Sequence, residues 1–140
     1  MSTVLWANVL CDGQVKSLEA DHAALYRHEK KLDALTRTLG LPPFRDFCDT
    51  LDLRYNVEDL PLPPGMTTTN ELMAAQGAWL PIADALHCLT TLREHIATKQ
   101  VRFGLLSNQQ AEVLAELDEA IAFARAESGH ATSFNFAVVM

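Results

Sequence analysis

The sequence predicts an α+β fold, mostly helical, with four or so helices packed on a small sheet formed by the N- and C-terminal strands. Three observations carry that expectation. The β-branched and aromatic residues of "TVLWANVL" (residues 3–10) and "TSFNFAVVM" (residues 132–140) mark strands at the two ends. Between them the apolar residues recur at helical spacing. Two short strands cannot stand alone in water, so they pair with each other and the helices cover their apolar face.

The elements follow in order. Residues 3–10 form the first strand, and Asp12-Gly13 turns the chain so that Gln14, Val15 and Lys16 return as a short second strand. Ser17 caps a helix over residues 17–39, with Glu19 in its first turn, where a carboxylate suits the dipole. Its apolar stripe is Leu18, Leu25, Leu32, Leu35 and Leu39. Gly40 ends it, and Pro42-Pro43 prevent its continuation. A short helix is expected over 44–53. An irregular connection then runs over about 55–68, where Pro61, Pro63, Pro64 and Gly65 favour extended backbone. Thr68 and Glu71 fit a capping box for a brief helix over 69–75. Pro81 suits the first turn of a helix over 80–98, with Ile82, Leu86, Leu89, Leu92 and Ile96 as its buried stripe. Ser107 and Gln110 give a second capping box, and that helix runs to about 127 on Val113, Leu114, Leu117, Ile121 and Ala124. Gly129 stops it. Phe134, Phe136 and Val138 then alternate with Ser133, Asn135 and Ala137 as the last strand.

A chain of 140 residues suits one globular domain, 1–140, and no repeat or second domain is visible. The 18 acidic and 11 basic residues give a formal net charge of −7. That balance weighs against nucleic acid and against anionic membrane surfaces, both of which are bound through Lys and Arg. No stretch approaches the ~18 apolar residues of a membrane span. Cys11, Cys48 and Cys88 are odd in number and far apart, so free thiols in a reducing cytoplasm are expected. The opening "MSTVLWANVLCDG" lacks a basic start, and Leu10 is too large for a signal cleavage site, so it reads as a strand.

Candidate sites come in two groups. On one long helix, Asp21 and His28 fall on the leucine stripe, which raises a polar pocket with His28 as acid, base or ligand. Seven residues span roughly 10.5 Å of helix, so the two cannot bond each other directly. His22, Tyr26, Glu29 and Asp33 form a flanking ridge that carries no recognised metal-ligand spacing. His87 and Cys88 are adjacent and point apart, so they form no catalytic dyad. The second group is acidic. Glu112, Glu116 and Glu119 form one ridge continued by Phe123, and Asp46, Asp49 and Asp52 make another run. An apolar anchor ringed by carboxylates suits docking onto a basic protein. Asp46 and Asp49 as magnesium ligands is a weaker idea, because no phosphate-cradling loop accompanies them. Pro61 to Pro64 has P-x-x-P spacing, but an ordered linker explains it better.

The sequence therefore points first to a small acidic protein acting by protein–protein interaction, of the adaptor, immunity-protein or inhibitor kind. It would be monomeric or homodimeric, with no cofactor and no metal. The alternative is a small-ligand binder or enzyme with a pocket around Asp21 and His28.

Overall fold

The tight turn at Asp12-Gly13 organises the N-terminal third of the molecule. Both residues have positive φ, 50° and 75°, the twist that two-residue hairpins require. The turn joins β1 (Val4–Cys11) to β2 (Gln14–His22) with Cys11 opposite Gln14 and Asn8 opposite Ser17. The computed structural model of the chain describes residues 2–140.

The α+β expectation holds. Among the described residues, six helices pack on a five-stranded sheet of order β2-β1-β5-β3, with β4 also pairing β5. The remaining elements are α1 (Ala23–Arg27), α2 (Glu29–Thr38), β3 (Cys48–Asp49), α3 (Leu51–Val57), α4 (Thr69–Gln76), β4 (Leu80–Pro81), α5 (Ile82–Lys99), α6 (Gln110–Glu127) and β5 (Ser133–Val139). The terminal strands β1 and β5 lie side by side and antiparallel, from Val4 opposite Val139 to Leu10 opposite Ser133. Among the described residues only the β3–β5 pairing is parallel.

The helix expected over 17–39 is corrected. Residues 17–22 continue β2, so Ser17 is no helix cap and Asp21 is a strand residue. Had β2 stopped at Lys16, the N-terminal half of β1 would have kept unpaired amides along that edge. Pairing therefore overrides the local capping signal. The ladder carries a bulge: between the Leu5–His22 and Ala7–Leu18 pairs, Trp6 faces three residues, 19 to 21. What remains of the helix breaks at His28 (φ −106°, ψ 20°), which ends α1 and begins α2. Gly40 follows α2 with φ +70°, as a helix stop should.

The helix expected over 44–53 is also replaced. Phe44–Phe47 form a 3-10 turn, then β3, then α3. The tighter turn lets both phenylalanines bury against Phe136, at ring distances of 5.4 and 6.3 Å. α3 takes in residues 55–57 of the stretch expected to be irregular. The Thr68 box is present: its Oγ1 accepts the Glu71 N–H at 3.2 Å. The Ser107 box is absent, because α6 starts at Gln110. There Asn108 Oδ1 accepts the Phe103 and Gln110 N–H groups instead.

The alternation of β1 and β5 divides the molecule into layers. Leu5, Ala7 and Val9 pair with Val138, Phe136 and Phe134. They face a core completed by Leu25, Leu32, Leu89, Leu92 and Leu117. The opposite face carries Val4, Trp6, Asn8, Asn135, Ala137 and Val139. α3 and α4 cover it only in part, burying Leu72 and Met73.

Candidate functional site

The half-covered outer face of the sheet holds a groove of about 340 Å³, within the range that small-molecule and side-chain sites occupy. Strands β1 and β5 give it an apolar floor of Val4, Ala137 and Val139, and α4 adds Met73. Trp6 stands in the groove because the bulge in β2 leaves room opposite it. Its Nε1–H donates to Asp21 Oδ1 at 2.8 Å, which fixes the indole plane. Glu19 and Asp21 enter from β2 and Asp52 from α3. Asp52 Oδ1 accepts the Thr69 hydroxyl at 2.6 Å. Glu19 forms no ion pair with the described residues.

Beneath this rim a chain of side-chain hydrogen bonds crosses three strands. Ser17 donates its hydroxyl to Asn8 Oδ1, Asn8 Nδ2 donates to Asn135 Oδ1 at 3.1 Å, and Asn135 Nδ2 donates to the Ala78 carbonyl at 2.9 Å. Asn8 and Asn135 are fully buried, and these bonds offset the cost of burying their amides. The chain locks the register of β2, β1 and β5 directly under the groove. Among the described residues lining it there is no lysine, arginine or histidine. It therefore offers three carboxylates and an indole, a set suited to a cation with an apolar stem.

Asp21 and His28 are not brought together. Asp21 lines the groove, whereas His28 lies in the α1–α2 break on the other side of the sheet. There His28 Nε2–H donates to Gln109 Oε1 at 2.6 Å, and its ring meets Phe103 edge-on at 5.3 Å. Arg27 donates to the same Gln109 oxygen at 3.0 Å. His28 thus clamps the loop before α6.

The acidic ridge of α6 is partly committed to the fold. Glu116 accepts the Ala24 and Leu25 N–H groups at 3.2 and 2.9 Å, capping α1 from a neighbouring helix. Glu119 Oε1 lies 3.4 Å from Nε2 of the buried His22, whose Nδ1 faces the Leu5 carbonyl at 3.1 Å. That Nε2 has no aligned hydrogen bond. Glu112 is exposed, and Phe123 is half-buried against the core. In the aspartate run, Asp46 is exposed. Asp49 is buried and accepts the Leu51 and Ala78 N–H groups at 3.0 and 2.8 Å. Asp52 alone of the three lines the groove.

The His22–Asp33 ridge does not exist as one face. His22 ends β2, Glu29 accepts Arg45 at 2.8 Å, and Asp33 is buried. Burial works against the charge on Asp33. The Arg37 side chain at 2.8 Å and the Arg45 N–H at 3.0 Å outweigh it, and they hold its carboxyl below the usual range. No group of three or more His, Cys, Asp or Glu is placed to hold a metal among the described residues. The three cysteines are unpaired. Burial pushes the Cys88 thiol up to about 12 and the Cys48 thiol well above its ordinary value, so neither is a thiolate at neutral pH.

Sequence reasoning missed Trp6, Glu19, Asn8 and Asn135 as neighbours. The signal was available in "VKSLEAD", where Ser17, Glu19 and Asp21 recur at every second residue. Helical counting scattered them. No family model, curated protein or solved structure matches the chain. Among the described residues no helix is long and apolar enough to cross a membrane.

Proposed function

We propose that the protein is an acidic binding module that receives a basic side chain of a protein partner in the groove around Trp6. One observation carries this reading: Glu19, Asp21 and Asp52 line one groove with Trp6, whose indole bonds Asp21, and no cation is among the groove-lining residues. A lysine or arginine entering the groove would lay its methylenes on Val4 and Val139 and bring its charge to the carboxylates. The net charge of −7 would speed the encounter with a basic surface. Adaptor, immunity-protein and inhibitor roles all fit such a module. The docking residues assigned are Trp6, Glu19, Asp21 and Asp52, with exposed Glu112 and Asp46 contributing long-range field alone.

Titration of a fluorescent hexa-arginine peptide at low salt, followed by anisotropy, tests this. Binding should weaken as salt shortens the Debye length to about 8 Å near 0.15 M. Glu19→Lys or Asp52→Lys should weaken it on the order of tenfold, or 1.4 kcal/mol. Glu112→Lys should change it far less. Equal losses at Glu19 and Glu112 would show that diffuse charge, not the groove, binds the peptide.

The volume of the groove favours a second reading, a small organic cation as ligand. Here Asp21 keeps the role expected for it and His28 has none. Saturable binding of a monovalent amine such as agmatine, with no affinity for the peptide, would select this reading over the first.

A further inference from the structure

The loop between α5 and α6 displays two adjacent leucines almost wholly in solvent: Leu105 is 97% and Leu106 101% exposed. This tip is built, not frayed. Gln109 N–H donates to the Phe103 carbonyl at 2.6 Å, Asn108 Oδ1 takes two backbone N–H groups, and Phe103 is buried beneath. Arg102 wraps the tip from below, donating to the Gly104 and Leu105 carbonyls at 3.0 and 3.1 Å. Lys31 bonds the Arg102 carbonyl and lies over the Phe103 ring. Gly104 has φ +105°, and a Cβ there would collide with the Ser107 carbonyl. A loop so heavily constrained to hold two leucines in water presents a knob with two cations at its base.

On α3 the molecule carries a second apolar feature, a socket. An apolar recess of about 330 Å³ is lined by Thr50, Leu53, Arg54, Val57 and Glu58. A cavity of about 150 Å³ admits benzene, so this one has room for leucine side chains. Val57, which lines it, is 62% exposed. Glu58 and Asp59 form no ion pair with the described residues. Arg54, the one opposing charge, is drawn over the Tyr55 ring at 5.6 Å. Knob and socket are complementary in both character and charge: apolar with apolar, Arg102 and Lys31 with Glu58 and Asp59. The knob lies between α5 and α6 and the socket on α3, so each copy offers both.

We infer that the Leu105–Leu106 knob of one copy seats in the Leu53–Val57 socket of a second copy, a head-to-tail contact. This goes beyond the groove and leaves it open. The contact is small, so it is transient and concentration-dependent.

Sedimentation velocity from about 20 µM to about 1 mM, the range in which small transient interfaces are read, tests it. The wild-type sedimentation coefficient should rise with concentration. The double variant Leu105→Asp, Leu106→Asp and the single variant Val57→Asp should each stay monomeric. An equimolar mixture of the two variants should associate again and stop at two chains, because one sound knob and one sound socket remain between them. Restored association also shows that both variants are folded. Wild-type protein that stays monomeric throughout overturns the inference. So does a Val57→Asp variant that associates normally, or a mixture that stays monomeric. Monomeric wild type that floats with phosphatidylserine vesicles through its leucines would assign the knob to a lipid surface instead.

Discussion

The two faces of the sheet are built from the same two strands and do opposite things. On the inner face β5 contributes Phe134, Phe136 and Val138, and the rings of Phe134, Phe136 and Phe44 lie 5.1 to 5.5 Å from a neighbour in edge-on or tilted contact. On the outer face the intervening residues Ser133, Asn135, Ala137 and Val139 are small or polar, and two short helices cover them incompletely. The inner face supplies most of the apolar burial, and the outer one supplies chemistry. A period of two lets one strand serve both, since each substitution affects a single face.

Substitution can break or sharpen that contrast. Phe136→Ala should cost about 3–5 kcal/mol in urea unfolding, because it empties the centre of the aromatic cluster. Met73→Ala on the outer face should cost about 2 kcal/mol, the low end for such truncations. Equal losses would mean that the outer layer is as much a core as the inner one. Asn135→Ala should cost about 1–3 kcal/mol, since it takes the Asn8 amide's shorter hydrogen bond and leaves the Ala78 carbonyl without its side-chain donor. If that variant were as stable as the wild type, the amide chain would have no structural role.

Asp33→Asn should come next, at about 1–2 kcal/mol near pH 7. The folded pKa of Asp33 is lowered, so its stabilisation is complete above the unfolded value of about 3.9 and is lost as pH falls through the folded value. The gap between wild type and variant should therefore close as pH falls below about 4, the ordinary carboxylate value. A gap that persists at the acid end would assign the loss to packing. Glu112→Lys should change stability by less than about 0.5 kcal/mol, as exposed positions do. A larger effect would show that the α6 ridge carries more of the fold than Glu116 alone.

How far the sequence was legible depends on the scale of the signal. β1, β5, α5 and α6 show in their own residues, because each buries a regular stripe. The Thr68 box is local and was readable. β2 was not, because Ser17, Glu19 and the following leucines make a good helix by themselves. Only β1, paired across the Asp12-Gly13 turn, decides otherwise. The groove was hidden by the same step: Glu19 and Asp21 reach Trp6 only once β2 is a strand. Glu116 and Asp49 read as surface charge, and their backbone partners at Ala24 and Ala78 lie far along the chain.

The central position of β5 sets the order in which the molecule can be made. β5 lies between β1 and β3, yet it follows all six helices in the chain. During synthesis β1 and β2 can close as a hairpin early, but the free edge of β1 has no β5 partner until residues 133–139 emerge. The β1–β5 contacts then join residues more than a hundred apart, the pattern that slows folding and leaves strand edges open meanwhile. The nascent chain should depend on its helices, or on a holding chaperone, to shield that hairpin until its neighbour arrives.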